Sequence, residues 1–233
     1  MNHLFYGDNL EILQKHLPDD SVDLIYLDPP FNSRRAYNII FRDRTGKQAP
    51  SQIEAFEDTW TWSLQTAHAF DEIMSSPVVP LQLKTTMQAF KSFMRTSDLM
   101  SYLTMMAIRL VELRRVLKDS GSLYLHCDPT ASHYLKIILD SIFGKENFRN
   151  EIIWKRTSSH GNVQKKFGAI HDTIFFYAKG KRGTWNQLHT AYEESYLKDF
   201  YGLVDATGRR YGLDNITAPM QRASKGQIYE WKG

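Results

Sequence analysis

One short segment constrains the fold more than any other, because an apolar run ends there abruptly at an acid and two prolines. The run Val22–Leu27 has the β-branched and aromatic composition of a buried strand. Pro29 and Pro30 can neither continue a strand ladder nor enter a helix interior, so the strand must end at Asp28. In an open α/β sheet, the carboxyl end of a strand is where ligands bind. The segment therefore predicts an acidic side chain at a ligand-binding edge.

The residues at this strand end suit a flat heterocycle that carries an exocyclic amine. The carboxylate of Asp28 and the carbonyl of Pro29 can each accept one hydrogen of such an amine. The ring of Phe31 offers a stacking surface, a contact worth roughly 1–3 kcal/mol for a nucleobase. We therefore predict Asp28, Pro29, Pro30 and Phe31 as catalytic residues. The alternative for Asp28 is a cap of the turn that follows the strand.

The spacing of apolar residues over the next part of the chain predicts an α/β fold. Leucines and methionines between Leu99 and Leu117 recur every three or four residues, which predicts an amphipathic helix. Ser97 or Thr96 can cap its start, and Gly121 follows its end. The pattern next predicts a strand over 122–126 and a helix over 130–143. Two more strands, 152–154 and 173–177, are predicted to form an antiparallel pair at one edge of the sheet. Alternating strands and helices predict a parallel, doubly wound sheet.

Two further segments have open interpretations. Residues 4–6 read as a short strand, which would place Asp8 and Asn9 at a strand end as candidate cofactor-binding residues; Asp8 is equally suited to cap the following helix. Residues 32–83 form a long excursion with little periodicity, read as a lid or DNA-contacting loop. The alternative is a structural insertion packed by its aromatic residues, Phe56, Trp60 and Trp62.

Five segments together resemble the amino-group DNA methyltransferases with a permuted motif order. They are residues 5–10, 20–32, 121–130, 147–156 and 171–177, and they occur in the family's order. The resemblance implies a Rossmann-like methyltransferase sheet, permuted and here incomplete, with helices on both faces. Residues 1–180 would form part of the catalytic core, and residues 181–233 the start of a partial target-recognition region.

The resemblance also implies the reaction and the ligands. It assigns Asp28, Pro29, Pro30 and Phe31 to the target amine and Asp8 to the adenosine part of S-adenosylmethionine. The substrate would be double-stranded DNA with the target base flipped out, because the amine is inaccessible within a duplex. Aspartate rather than serine before Pro-Pro, with phenylalanine after, leans toward adenine N6 in the resembling families, with cytosine N4 as the alternative. A restriction endonuclease is a candidate partner. A non-catalytic DNA-binding remnant and, less favoured, an RNA or protein amine methyltransferase stay open.

The C-terminal third is basic and carries the candidate DNA contacts. Residues 151–233 contain 13 Lys and Arg against 8 Asp and Glu, a net charge of +5, whereas residues 1–150 contain 16 against 18. Lys155, Arg156, Lys165 and Lys166 flank a glycine-bearing loop, an arrangement that suits backbone phosphates. His171 lies in a family motif and would position the flipped base or its phosphate; an ordinary histidine at a strand start is the alternative.

The remaining expectations concern whether the catalytic core is complete in this chain and where in the cell the protein lies. The family places a glycine-rich cofactor motif after the recognition region, and these 233 residues contain none. We therefore expect a chain truncated before that motif, with weak cofactor binding and an unpaired sheet edge that favours a complementing C-terminal half or a homodimer. No run of about 18 apolar residues is present, so we expect no membrane span and a cytoplasmic protein. The single cysteine, Cys127, excludes an internal disulfide and a Cys-rich zinc site.

Overall fold

The computed structural model describes residues 2–30, 36–38, 54–57, 60–157, 167–189 and 191–214. Phe31, Lys165 and Lys166 lie outside these ranges, as does most of the segment 31–59. Contacts divide the chain into two units, Met1–Thr184 and Trp185–Gly233.

The described part of the chain contains both helices and strands, including three consecutive helices between residues 64 and 116. The helices are α1 (Asn9–His16), α2 (Leu64–Ser75), α3 (Leu81–Met94), α4 (Asp98–Val116), α5 (Ser132–Phe143) and α6 (Glu194–Phe200). The strands are β1 (Val22–Leu27), β2 (Ala36–Asn38), β3 (Glu54–Glu57), β4 (Leu117–Cys127), β5 (Phe148–Lys155), β6 (His171–Ala178), β7 (Leu203–Val204) and β8 (Arg210–Tyr211). A mixed helix and sheet architecture is therefore confirmed.

Four strands form the main sheet in the order β1, β4, β6, β5. Strands β1 and β4 are parallel, whereas β6 runs antiparallel to both β4 and β5. The expected antiparallel pair, β5 with β6, is confirmed. The expectation of a parallel sheet holds only for β1 and β4. Strand β6 is the next strand after β5 along the chain and lies beside it, and strands joined in this way pair antiparallel.

The hydrophobic core lies on one face of this sheet, around α4. Leu123 and Leu125 of β4 and Phe175 and Tyr177 of β6 are buried in one cluster with residues of helices α1 to α5. The opposite face carries the alternate residues, and Tyr26 on β1 is 56% exposed there. Helices were expected on both faces, but the described helices of the first unit pack on one.

Helix α4 begins where the sequence predicts and ends earlier. The hydroxyl of Ser97 accepts a hydrogen bond from the backbone N–H of Met100, which confirms the predicted cap. Its methionines Met100 and Met106 are buried, as expected for core residues. The helix ends at Val116, so Gly121 is not its terminus. Gly121 lies instead within β4, where the pairing with β1 is irregular.

The N-terminal segment and the long excursion also differ from expectation. Residues 4–6 form no strand, and the side chain of Leu4 is fully exposed, because no described strand pairs with this segment. From Trp60 onward the excursion is structural: Trp60 and Trp62 pack partly buried against the core, and α2 follows. The lid interpretation therefore fails for residues 60–83, while 31–35, 39–53 and 58–59 are outside the described ranges.

The second unit contains one short helix and a two-stranded hairpin in its described part. Strand β7 pairs antiparallel with β8. Asp205 holds the connecting turn, because its Oδ1 accepts hydrogen bonds from the backbone N–H groups of Thr207 and Arg209. The hydroxyl of Thr207 also donates to Oδ1. This hydroxyl bond, together with the backbone bonds, lowers the pKa of the Asp205 carboxyl. Across all described residues, we find no helix with the length and apolarity that crossing a membrane requires.

Candidate active site

The sheet topology brings most of the described candidate residues to one edge. Parallel strands β1 and β4 both end there, and β6 begins there because it is antiparallel to β4. Strand β5, antiparallel to β6, also ends at this edge. Asp28, His126, Arg156 and His171 each stand at one of these four strand termini. The predicted catalytic acid and two of the predicted DNA contacts thus share one edge of the sheet.

Asp28 lies one residue beyond the last registered pair of β1 and β4, Leu27 with Leu125. The next position on β4 is His126, and the two side chains meet: Nδ1 of His126 is 3.0 Å from Oδ1 of Asp28. The Asp28 side chain is 60% exposed, so a ligand can reach its oxygens. Pro29 and Pro30 are half-buried and fix the chain direction after the strand. The accessible carboxylate is what an amine-binding role requires.

Two more charged residues extend this contact across the sheet. Nε2 of His126 is 3.5 Å from Oδ2 of Asp172 on β6. Oδ1 of Asp172 in turn lies 3.1 Å from Nη1 of Arg156, which follows β5. The Asp172 side chain is only 4% exposed. A buried carboxylate is costly unless it is paired, and Arg156 supplies the opposite charge.

The remaining described basic candidates lie beside this row. Lys155 is opposite His171 in the pairing of β5 with β6, and its side chain is exposed. The backbone N–H of Arg156 donates to the carbonyl of Ile170, so pairing continues one residue beyond β5. Lys155, Arg156 and His171 are therefore neighbours. Lys165 and Lys166 fall outside the described residues, and their role stays a prediction.

Asp8 and Asn9 are held by a residue from α4 that the sequence patterns did not single out. Oδ1 of Asp8 accepts a hydrogen bond from the backbone N–H of Leu10 and caps α1. Nη2 of Arg109 donates to both Asp8 oxygens at 2.7 and 2.9 Å, and its Nε donates to Oδ1 of Asn9 at 2.8 Å. Asp8 is thus a helix cap, and its cofactor role stays a prediction.

A cavity of about 540 Å³ opens beside this pair, between α2 and α4. Asp8 and Arg109 contribute to its wall, together with the indole of Trp60. The hydroxyls of Thr66 and Ser101 also line it and lie 3.0 Å from each other. This volume is within the range of small-molecule sites, which is about 300–1,000 Å³. The cavity lining carries the carboxylates of Asp8 and Glu72, the guanidinium of Arg109, neutral hydroxyls and an aromatic surface.

The first unit therefore has an exposed acid at a strand end with basic neighbours, and a separately described cavity that Asp8, Glu72 and Arg109 help to line. Residues 22–224 match the family described as DNA methylase, the N6/N4 methyltransferases. This chain belongs to the N6/N4 DNA methylase family. The resemblance carried by the five sequence segments is thereby confirmed.

Two curated relatives show what the chain is similar to. The chain is 28% identical over 235 residues to the type II methyltransferase M.EcaI of Enterobacter cloacae, covering 100% of this chain and 41% of the relative. It is 29% identical over 185 residues to the Mod subunit of the type III restriction-modification enzyme StyLTI of Salmonella typhimurium, covering 78% of this chain and 24% of the relative. The chain thus spans less than half the length of these curated relatives.

Among solved structures, the chain matches the PvuII DNA methyltransferase, titled as cytosine-N4-specific. The identity is 10%, with 84% of this chain and 60% of that chain covered, and the TM-score is 0.41.

Three site residues carry little signal in the sequence: Arg109, Asp172 and His126. A histidine at a strand end, such as His126, indicates by itself a pocket-shaping or structural residue. Its contact with Asp28 requires the β1–β4 register, which the sequence does not give. Asp128, the neighbouring acid, is structural: its two oxygens accept from the backbone N–H and the hydroxyl of Thr130. Cys127 is buried, and that burial raises the pKa of its thiol.

Proposed function

We propose that this chain is the part of a DNA methyltransferase that binds the target amine, with adenine N6 as the acceptor and S-adenosylmethionine as the methyl donor. The observation that carries the proposal is the exposed carboxylate of Asp28 at the end of β1, in an Asp-Pro-Pro segment and beside basic residues. The family includes N6 and N4 enzymes, and cytosine N4 is the second candidate. The phenylalanine at position 31 favours adenine.

The chemistry follows from the weak nucleophilicity of an exocyclic amine, whose lone pair is delocalised into the base. Asp28 and the carbonyl of Pro29 accept its two hydrogens, which favours a pyramidal nitrogen with a localised lone pair. Each such acceptor, placed for the transition state, contributes on the order of an oxyanion-hole donor, about 3 kcal/mol.

S-adenosylmethionine supplies, when bound, a methyl carbon on a positively charged sulfur. Held at Asp28, the amine nitrogen would form its new bond to that carbon, and the carbon–sulfur electron pair would leave with sulfur. The nitrogen would then lose one proton, which Asp28 would accept and, being exposed, pass to solvent. No metal is needed to balance this step.

The cavity beside α1 fits part of such a donor. Its volume of about 540 Å³ can admit an adenosine, and the rim carries a carboxylate that can accept from hydroxyl or amine hydrogens. Asp8 would hold that group, with Asn9 beside it and Trp60 as an apolar wall. Arg109 also lines the cavity and donates to both Asp8 and Asn9.

The basic side chains at the same sheet edge support DNA as the substrate. Lys155 is exposed and Arg156 is about half-exposed, so both can reach phosphates near a base that enters at Asp28. Such contacts position the duplex and carry no sequence information. We propose residues 181–233 as the start of the region that reads the sequence, and a restriction subunit as a partner of the whole protein.

The test is nucleoside mass spectrometry after the chain, together with a C-terminal half from a relative, is incubated with DNA and deuterated-methyl S-adenosylmethionine. Labelled N6-methyladenine is expected, and Asp28→Asn should remove it. Labelled N4-methylcytosine would establish the second candidate. DNA binding without any labelled base in this complemented mixture would indicate a non-catalytic DNA-binding chain and overturn the proposal.

A further inference from the structure

We infer that His126 is a positioning residue that holds the carboxylate of Asp28 in place and connects it, through Asp172, to Arg156. The inference rests on the proposed function, because it concerns the acid that would bind the target amine. His126 touches neither substrate nor cofactor in this scheme. It acts through Asp28.

The sheet register places the four side chains on one face. Residues that pair directly across strands point to the same side, and alternate residues of a strand share a face. His126 is opposite Ile174, so Asp172, two residues earlier on β6, shares its face. Asp172 is opposite Trp154, and Arg156 lies two residues beyond Trp154. The row crosses all four strands at the edge where Asp28 stands.

The distances make this row continuous. They are 3.0 Å from Asp28 to His126, 3.5 Å from His126 to Asp172 and 3.1 Å from Asp172 to Arg156. Exposure falls from 60% for the Asp28 side chain to 16% for His126 and 4% for Asp172. The accessible acid is therefore anchored to a progressively more buried set of groups.

A positioned acid needs such an anchor because an exposed aspartate otherwise samples several side-chain rotamers. A misplacement of about 1 Å in a reacting group can cost roughly 10²-fold in rate. The imidazole lies between two carboxylates, with a different ring nitrogen toward each. It can donate to both only when both nitrogens carry a proton. Arg156 offsets the charge of Asp172, which is the more buried of the two acids.

The direct test of the contact is nuclear magnetic resonance of the histidine ring nitrogens in the full chain. Asp28→Asn and Asp172→Asn should each change the chemical shifts of the His126 ring nitrogens. Asp23→Asn is the matched control, because Asp23 also lies on β1 but pairs with Lys118 on the surface. Unchanged His126 shifts in Asp28→Asn would overturn the inference, and this measurement needs no catalytic activity.

Two substitutions at His126 test the positioning role, because one keeps and the other removes the donor that faces Asp28. The amide nitrogen of asparagine occupies the place of Nδ1, which faces Asp28, whereas that of glutamine occupies the place of Nε2. We expect His126→Asn to keep most of the methyl-transfer kcat and His126→Gln to lower it by about 10²-fold. KM for DNA and for S-adenosylmethionine should stay unchanged. His133→Asn, on exposed α5 surface, is the control.

The outcomes separate this inference from the proposed function. Equal kcat in His126→Gln and wild type, with both variants folded by circular dichroism, would overturn the positioning role while methyl transfer stands. A wild-type chain that labels no base, even when complemented, would overturn the proposed function, and the positioning role with it. Rescue by asparagine and loss with glutamine would support the role, because a merely structural histidine predicts no such difference.

Discussion

Arg109 donates from Nη2 to both carboxylate oxygens of Asp8, a residue 101 positions earlier in the chain, at 2.7 and 2.9 Å. The contact fixes the start of α1 to the middle of α4. Because Asp8 also accepts from the Leu10 N–H, its carboxylate serves the helix and the ion pair together. The contact therefore joins two residues of the cavity wall, Asp8 and Arg109.

Asp8→Asn separates the capping role of this residue from its proposed cofactor role. Asparagine caps helices about as well as aspartate, so α1 should persist, with a loss of about 1 kcal/mol for the weaker pairing with Arg109. Affinity for S-adenosylmethionine should fall by about tenfold, because an amide oxygen is a weaker acceptor than a carboxylate. Isothermal titration calorimetry and urea unfolding measure the two effects.

The control for that substitution is Asp19→Asn, which weakens the corresponding ion pair with Arg115 beyond the other end of α1. It should change stability by a similar amount and leave cofactor affinity unchanged. Equal cofactor affinity in Asp8→Asn and wild type would show that Asp8 is a structural cap alone.

Asp28→Asn should abolish methyl transfer without unfolding the protein. The side chain is mostly exposed, so its charge contributes little to stability. The amide presents a donor where the reaction needs an acceptor, and we expect a loss of about 10²–10³-fold in kcat. Transfer of tritium from labelled S-adenosylmethionine to DNA measures it. Asp23→Asn on the same strand should retain full activity, and an active Asp28→Asn variant would refute the assignment.

Lys155→Gln and Arg156→Gln should weaken DNA binding to a similar extent for all sequences. A phosphate contact contributes about 0.9 to the slope of log K against log salt concentration, so each variant should lower that slope by about one. Fluorescence anisotropy at several salt concentrations measures it. Lys15→Gln, in an exposed ion pair with Glu11 on α1, is the control. Slopes equal to wild type in both variants would exclude these residues as phosphate contacts.

Tyr177 should make the stability of the first unit depend on alkaline pH. Burial, and then the hydrogen bond that its hydroxyl donates to Asp140 at 2.6 Å, raise the pKa of Tyr177 well above its ordinary value. A raised pKa means that the folded state favours the protonated phenol. Its contribution is complete below the unfolded pKa of about 10 and is lost as the pH rises beyond that value.

Tyr177→Phe should therefore lower the free energy of unfolding by about 1–3 kcal/mol at pH 7.5. The difference from wild type should shrink above about pH 10, where the unfolded phenol ionises. Urea unfolding from pH 7.5 to 10.5 measures this difference. Tyr192→Phe, an exposed tyrosine, should cost little at any pH. A pH-independent cost for Tyr177→Phe would contradict the linkage.

The sequence predicted the position of Asp28 because proline chemistry is local. Two prolines end a strand whatever surrounds them, and an acid before them must stand at the strand terminus. The cap at Ser97 and the buried methionines of α4 were predictable for the same reason, since both follow from neighbours along the helix.

The partners of these residues were not predictable, because they depend on strand order and register. The row from Asp28 to Arg156 exists only because β6 lies between β4 and β5. The pairing of Arg109 with Asp8 depends in the same way on the packing of α1 against α4. Residues 4–6 also show the limit: their apolar composition suits a strand, but the described sheet offers them no partner.

The sequence predicts that Gly121 follows a helix end, but the structure places this glycine in a crowded strand. A substitution at Gly121 therefore tests one such long-range packing constraint. A Cβ at Gly121 would lie 2.7 Å from Cδ1 of Leu117 and 2.9 Å from the carbonyl oxygen of Lys118. Leu117 is fully buried, so it cannot move aside freely. Gly121→Ala should therefore destabilise the first unit by about 1–3 kcal/mol.

The matched control is Gly168→Ala, where a Cβ would lie 3.7 Å from Cγ2 of Ile170, an ordinary contact. That variant should be neutral or slightly more stable, since alanine restricts the unfolded chain. Urea unfolding of both variants gives the comparison. Because β4 carries His126 at its far end, a destabilised Gly121→Ala protein should also lose methyl transfer at lower temperature than wild type. Equal stability of the two alanine variants would show that the irregular start of β4 adapts to a side chain at position 121.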